Sequence, residues 1–524
     1  MEFLKTRGTK IYAGQEPILL RGFGLGGWFL PEGYMWKLYE QCDRPRRMEA
    51  MIEELCSKEY SERFWECYLE CYITREDIKW ISSEGFNSIR LPLNSRHLYE
   101  RNGDVLVLKE DMLKRIDRVI SWCREFNIYV ILDMHGAPGG QTGQNIDDSE
   151  HDIPELFIKK EYEEELVFLW KELVKRYHRE STVAGYDLLN EPLPYFFQEF
   201  NFLVLPLYRR LIREIREIDQ EHMIILEGVH WATDFSIFQD FTIKEASDNI
   251  LLQFHKYWSN PDEESLKEFI KVSQELKVPL FMGEGGENNC DWYTTVFPLY
   301  EQLNISWSFW SYKKMDCTNS PISFKVPEGW DKLKEWIDRK TELTREEGQL
   351  ILDNLLESIS NSWINRPVLN ALKREPSVRI PCEAYQKYRI TSNRVIGAEL
   401  RMSDPVSILF ENGKTGKVDY QRMGGEEQPP EDNLVVQLLA GDEVGYKVNP
   451  RSHNFNLTLV ADGTGILIVS MGGWNKSLQI NGKKEYSIQV ELMQNQDNLL
   501  WLSAIEGTLL LDYFQIDCNN FRTA

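Results

Sequence analysis

From about residue 18 to residue 310 the chain repeats one theme: a short apolar, β-branched run, a loop, then a stretch with apolar residues at helical spacing. The short runs are 18–24, 88–92, 129–135, 183–189, 223–227, 250–255, 280–284 and 305–310, eight strand candidates in all. Between them, 109–126 gathers Met112, Leu113, Ile116, Val119, Ile120 and Trp122 on one broad face and predicts a helix. Residues 162–177 and 203–218 read similarly, and 264–276 follows a Pro-Asp-Glu start signal. Eight β–α units predict an α/β chain with a (β/α)8 TIM barrel, the alternative being a doubly wound open sheet. The polar residues favour the barrel. Arg90, His135, Asn190, Glu191, His255, Glu284 and Trp310 gather at the C-terminal ends of the runs. A closed parallel barrel brings all those ends to one face, whereas an open sheet spreads them along an edge.

After the eighth run, 330–336 predicts the closing helix and 345–364 a second helical stretch. From about Cys382 the pattern changes to short alternating strands at 388–390, 406–410, 434–439, 443–448, 454–460, 465–470, 485–491 and 507–516. Turn signals such as Glu411-Asn412-Gly413, Ala461-Asp462-Gly463 and Asn481-Gly482 separate them. This predicts a barrel over residues 1–375 followed by a C-terminal β-sandwich over 376–524.

Composition narrows the partners. A net charge of −23 lacks the basic footprint that nucleic acid requires and disfavours an anionic membrane. No stretch has the roughly 20 apolar residues of a spanning helix, and the first ten residues lack the apolar core of a secretion leader. Nine cysteines, an odd number, read as reduced thiols. Together these predict a cytoplasmic protein, or a secreted one if a leader has been trimmed.

Two motifs carry chemistry. In Leu188-Leu189-Asn190-Glu191-Pro192 an apolar run ends in an amide and a carboxylate, and proline prevents its continuation. In Phe281-Met282-Gly283-Glu284-Gly285-Gly286 a second carboxylate ends an apolar run among glycines that let a substrate approach the backbone. Each alone is an ordinary strand-to-turn junction. On the fourth and seventh strands of a barrel, however, the two carboxylates face each other across the mouth. Two carboxyl groups about 5 Å apart suit a retaining double displacement, and a wider gap leaves room for an inverting water.

These positions resemble glycoside hydrolase family 5, whose two glutamates end strands four and seven. The resemblance implies Glu191 as acid/base and Glu284 as nucleophile. It implies that Arg90, in Ser88-Ile89-Arg90-Leu91-Pro92, holds the nucleophile, and that His135, in Leu132-Asp133-Met134-His135-Gly136, belongs to the subsite cleft. Asn190 would bond the sugar 2-hydroxyl. His255 and Tyr257, in Phe254-His255-Lys256-Tyr257, match the strand-six pair, with the tyrosine hydroxyl reaching the nucleophile, and Trp310 would floor the cleaved-sugar subsite. Arg21-Gly22-Phe23-Gly24-Leu25-Gly26-Gly27-Trp28 and His135-Gly136-Ala137-Pro138-Gly139-Gly140-Gln141 resemble the exo-β-1,3-glucanase branch, a partial match that 142–149 and 284–290 do not follow. Long loops at 28–43 and 139–153 would close a pocket and favour exo action. The implied substrate is a β-glucan oligosaccharide or β-glucoside, with β-mannosides and transglycosylation as alternatives, and Glu287, Asp147, Asp148, Trp231 and Trp258 as further candidates for the cleft.

Segment 440–449 with the ending 507–516 resembles carbohydrate-binding module family 6, with Tyr446, Trp474 and Trp501 as candidate sugar-stacking faces or, equally, packing residues. No metal-ligand spacing, dinucleotide fingerprint or serine elbow is present, so no cofactor is expected. The rival of another class, a glycan-binding barrel without turnover, is disfavoured because both glutamates are present. The oligomeric state is left open.

Overall fold

Eight of the apolar runs pair in parallel and close on themselves. They are β1 (Arg21–Gly24), β2 (Ser88–Asn94), β3 (Tyr129–Gly136), β4 (Val183–Asp187), β5 (Met223–Glu227), β6 (Ile250–His255), β7 (Leu280–Gly286) and β8 (Ser306–Trp310). The barrel closes where Trp307 and Phe309 of β8 pair with Arg21 and Phe23 of β1. From β2 to β8 every strand residue is buried, because side chains fill the inside and helices cover the outside. That two-sided burial is why these strands read as unbroken apolar runs.

This computed structural model describes residues 1–103, 105–492 and 498–518. The chain divides into two units, one of Met1–Lys256, Glu268–Gly285 and Asn304–Ile364, the other of Tyr257–Lys267, Gly286–Leu303 and Asn365–Ala524. Among the described residues no helix is long and apolar enough to cross a membrane.

Within the first unit, the helix expected at 109–126 spans Glu110–Glu125. Its buried stripe is Leu113, Ile116, Val119, Ile120 and Cys123. Cys123 takes the inward position three residues after Ile120, while Trp122 is turned outward with the Arg118 guanidinium 5.3 Å from its ring. An antiparallel sheet of Leu4–Arg7, Lys10–Ala13 and Glu16–Ile18 precedes the barrel, an element the sequence pattern did not announce. Its Leu4 and Ile11 join Ile131, Ile225, Leu251 and Phe281 in one apolar cluster. The sheet thus plugs the end of the barrel at which its strands begin. The helix expected over 345–364 begins at the Thr344 capping box and stops at Ser360. The remaining Trp363–Ile364 pairs as a strand with Ile322–Phe324, which draws the tail out of helical geometry.

Among the described residues the second unit holds a nine-stranded antiparallel assembly consistent with a β-sandwich. Two long strands, Asn454–Met471 and Leu499–Cys518, pair along most of their length, and further strands add to their edges. The expected turn at Ala461-Asp462-Gly463 lies inside the first of these. Pairing shifts between Leu459 and Ala461, and Gly463 takes φ 103°, so the Asp-Gly signal marks a bulge rather than a reversal. Asn481-Gly482 likewise joins Trp474–Asn481 and Lys484–Glu491 end to end along one edge. Tyr446 is fully buried, its ring 4.9 Å from Phe514 and its hydroxyl donating to the Cys382 carbonyl at 2.7 Å. It therefore packs the core and presents no face to a sugar. Trp474 packs against the same core, and Arg389 covers the Trp501 ring at 4.6 Å.

Candidate active site

Parallel register sets the positions of the functional side chains. Gly24 pairs with Arg90, Asp133 with Asp187, Glu227 with Gln253, and His255 with Glu284 after a bulge at Phe254. Six strands thus deliver their polar ends to one level of the barrel mouth. The strand carrying Glu191 stops pairing at Asp187, so Asn190 and Glu191 stand on the turn beyond it. Glu191 itself adopts a left-handed backbone, φ 44°, and Leu193 does the same at φ 56°. A non-glycine residue held there costs of order 1 kcal/mol and persists where surrounding contacts impose it.

Arg90 is the hub. Its fully buried guanidinium donates to Glu284 Oε1 at 2.5 Å, Asp187 Oδ2 at 2.8 Å, Asn190 Oδ1 at 2.8 Å and Glu227 Oε1 at 3.0 Å, with Asp133 Oδ1 at 3.1 Å. Such a fork of fixed donors aims each carboxylate it touches. His255 bridges the two glutamates, with Nδ1 2.7 Å from Glu191 Oε1 and 3.5 Å from Glu284 Oε2. One ligating atom from each of Glu191, His255 and Glu284 lies within 4.8 Å of the others.

On the other side His135 Nδ1 sits 2.7 Å from Asp133 Oδ2, and its ring stacks on Trp310 at 5.2 Å and 11°. The Trp310 indole donates to the Tyr34 hydroxyl at 3.1 Å. Two glycines of the Gly24-Leu25-Gly26 segment exist for this ring: a Cβ on Gly24 or Gly26 would fall 2.4 or 2.6 Å from its atoms. Gln141 donates to the carbonyls of His135 and Asn190 at 2.6 and 2.9 Å, locking the third loop to the fourth.

Of the expected residues, Arg90, His135, Asn190, Glu191, His255, Glu284 and Trp310 thus come together, all buried. Tyr257 falls in the second unit, its ring 5.7 Å from Trp258, and Glu287 of that unit accepts the Trp258 indole on its carbonyl at 2.9 Å. Asp147 and Asp148 are loop braces. Asp147 accepts from the Thr142 amide at 2.7 Å, and Asp148 from Asn94 at 2.9 Å and the Arg46 amide at 2.9 Å. The indole of Trp231 donates to Gln144 at 2.8 Å.

Three further buried carboxyls belong to this site and were not expected in it: Asp133, Asp187 and Glu227. Glu227 accepts the Glu191 amide at 2.7 Å, bonds the Gln253 side-chain amide, and lies 3.6 Å from His255 Nε2. A charged residue closing the fifth apolar run was the signal available for it.

Electrostatics separates these acids. Burial pushes the Glu191 carboxyl up, opposed by His255 and aided by Glu284. Burial likewise drives Asp187 well above the carboxylate range, with Glu227 adding to it. Glu227 is also penalised by burial, but the charges of His255 and Arg90 outweigh that and hold it ionised. Burial disfavours a charged His255, yet Glu227, Glu284 and Glu191 more than compensate and raise its proton affinity well above that of an ordinary imidazole. By distance alone Glu191, His255 and Glu284 could hold a cation. The Arg90 guanidinium, 2.5 Å from Glu284, already places a positive charge there.

A closed parallel barrel with two close glutamates at its mouth, one of them held by a buried arginine, is the arrangement of a glycoside-hydrolase site. The chain matches the Cellulase (glycosyl hydrolase family 5) family over residues 53–316, half of its length, and belongs to that family. It is 35% identical to a β-xylosidase of Phanerodontia chrysosporium over 259 residues, 49% of this chain and 52% of that protein. It is 26% identical to endoglucanase C of Acetivibrio thermocellus over 309 residues, 48% of this chain and 86% of that protein. The chain therefore spans about half the length of the first of these relatives. A solved endogalactoceramidase structure aligns with 98% of this chain and 100% of its own, at 14% identity and a TM-score of 0.49, a likeness that carries no argument about substrate.

Proposed function

We propose that the protein is a retaining β-glycosidase. Glu284 attacks the anomeric carbon as the glycosidic C–O bond breaks, and Glu191 gives its proton to the departing oxygen. Water then attacks the glycosyl ester, Glu191 takes up its proton, and Glu284 is released. The observation that carries this reading is the asymmetry of two close carboxyls. Glu284 is held by Arg90 at 2.5 Å, while Glu191, with an oxygen within 4.8 Å of it, is pushed up toward the protonated form. An acid and a nucleophile need that difference.

In this reading Asn190 bonds the sugar 2-hydroxyl, and His135 and Trp310 line the cleaved-sugar subsite. Exo action on β-glucosides or short β-glucans is supported by the tie between the two long loops. Asn145 donates to Glu32 at 3.3 Å, and Arg44 donates to the Ser149 carbonyl and hydroxyl at 3.0 and 2.9 Å. The β-xylosidase relative adds β-xylosides to the sugars worth testing.

The test is a panel of aryl β-glucosides, β-xylosides, β-mannosides and β-glucan oligosaccharides, with the first-formed anomer read by NMR. We expect retention, and Glu191→Gln should lower kcat/KM by about 10²–10⁴-fold on poor leaving groups. An inverted first product, or a Glu284→Gln variant with full turnover, would overturn the assignment.

A further inference from the structure

We propose that Glu227 is a positioning residue of this site, acting on His255 and on the backbone turn that presents Glu191. The inference rests on the glycosidase reading above. Glu227 ends β5, is fully buried, and spends its two carboxylate oxygens on different tasks. Oε2 accepts the amide of Glu191 at 2.7 Å. That amide belongs to the residue with φ 44°, so the carboxylate anchors a peptide that side-chain sterics would otherwise push out of its left-handed geometry. Oε1 accepts from Arg90 at 3.0 Å and from Gln253, and lies 3.6 Å from His255 Nε2. One carboxylate therefore touches the arginine that holds Glu284 and the backbone that carries Glu191. It also neighbours the imidazole that touches both.

The charges around His255 fix its state. Facing it are Glu191, Glu284 and Glu227, with the Gln253 side-chain nitrogen 3.0 Å from its Nε2 and Arg90, Asp133 and Asp187 one contact further away. Of these Glu227 is the strongest influence favouring the imidazolium, opposing the penalty of burial. Glu227 itself stays ionised because His255 and Arg90 face it. The pair is mutually sustaining: an anion not exposed to substrate keeps a cation 2.7 Å from the acid/base oxygen. When Glu191 has given up its proton, the imidazolium stabilises the resulting carboxylate, so Glu227 acts on both half-reactions through His255.

Two measurements test this on the full chain. Histidine-labelled wild-type protein should show a doubly protonated His255 by NMR at pH 7; a neutral ring would overturn the proposal. The near-isosteric Glu227→Gln keeps an oxygen for the Glu191 amide but removes the charge, and its His255 should titrate in the ordinary imidazole range. Its kcat/KM should fall by about 10–100-fold on phenyl β-glycosides with poor leaving groups, mostly in kcat. On 2,4-dinitrophenyl β-glycosides, which depart with little help from an acid, the loss should be several-fold smaller. Glu227→Asp should recover part of the charge effect. Equal losses on both leaving groups with an unshifted His255 titration would reduce Glu227 to a packing residue. If wild-type protein cleaves none of these glycosides, the glycosidase reading fails instead, while the charge of His255 still decides the role of Glu227.

Discussion

Two groups of acids in this protein are withdrawn from water, and they differ in what surrounds them. At the barrel mouth Asp133, Asp187, Glu191, Glu227 and Glu284 surround one buried arginine and His255, and each carboxyl has at least one oxygen bonded or ion-paired to a placed donor, although Asp133 Oδ1 and Asp187 Oδ1 have no hydrogen bond. In the second unit Asp291, Glu383 and Asp512 line a recess of about 470 Å³, open mouth included. Arg379 approaches Asp291 at 3.4 Å, and Glu383 Oε2 is buried with no partner. The buried cation nearby, Arg374, is spent on the carbonyls of Thr294, Ala384 and Lys447 rather than on a carboxylate.

Burial alone pushes every acid the same way. In the second unit Asp291, Glu383 and Asp512 all rise, Glu383 to about 8. At the barrel mouth the placed cations split the set, holding Glu227 ionised while Glu191 and Asp187 rise. Chemistry needs that split; burial without placed cations yields only acids reluctant to ionise.

Substitutions that alter the compensation in each place should break or sharpen this contrast. The largest effect should come from Arg90→Lys, which keeps the charge but loses the fork that reaches Glu284, Asp187, Asn190 and Glu227. We expect kcat/KM to fall by about 10²–10³-fold, read on aryl β-glycosides, with the thermal transition also lowered. A fall under tenfold would show that charge alone suffices.

Next comes Glu383→Gln. A carboxyl with a folded pKa raised to about 8 incurs no penalty while protonated in both states, below its ordinary 4.5. The penalty grows as pH rises toward 8, because the unfolded chain ionises first. The variant should therefore gain about 2–4 kcal/mol at pH 8 and almost nothing at pH 4, measured by urea unfolding at both values. A gain of equal size at both would refute the electrostatic account.

The smallest expected effect is His255→Asn. Because His255 lowers the pKa of Glu191, removing its charge should move the alkaline limb of the kcat/KM profile to higher pH. A limb displaced to lower pH would contradict the sign.

Much of this was legible beforehand, for physical reasons. A barrel strand is buried on both faces, so its apolar run is unmistakable, and a polar residue in or at the end of it stands out, as Arg90 and Glu284 do within their strands and His135 and His255 near the ends of theirs. Glu227 stands out in the same way but matches no familiar motif, and only the register that places it beside Gln253 reveals its partners. The plug of Leu4 and Ile11 was missed because three short strands alternate too briefly to be distinguished from a tail. The bulge at Gly463 was misread because Asp-Gly serves a hairpin and a kinked strand equally well, and only long-range pairing with the strand through Leu509 decides between them.

The division of labour between Glu284 and Glu191 is tested most directly by trapping. A 2-deoxy-2-fluoro β-glycoside of the preferred sugar, bearing a 2,4-dinitrophenyl leaving group, should inactivate the enzyme with a one-to-one gain in mass. Peptide mapping should place the sugar on Glu284. Label on Glu191, or steady turnover with an inverted product and no adduct, would contradict the account.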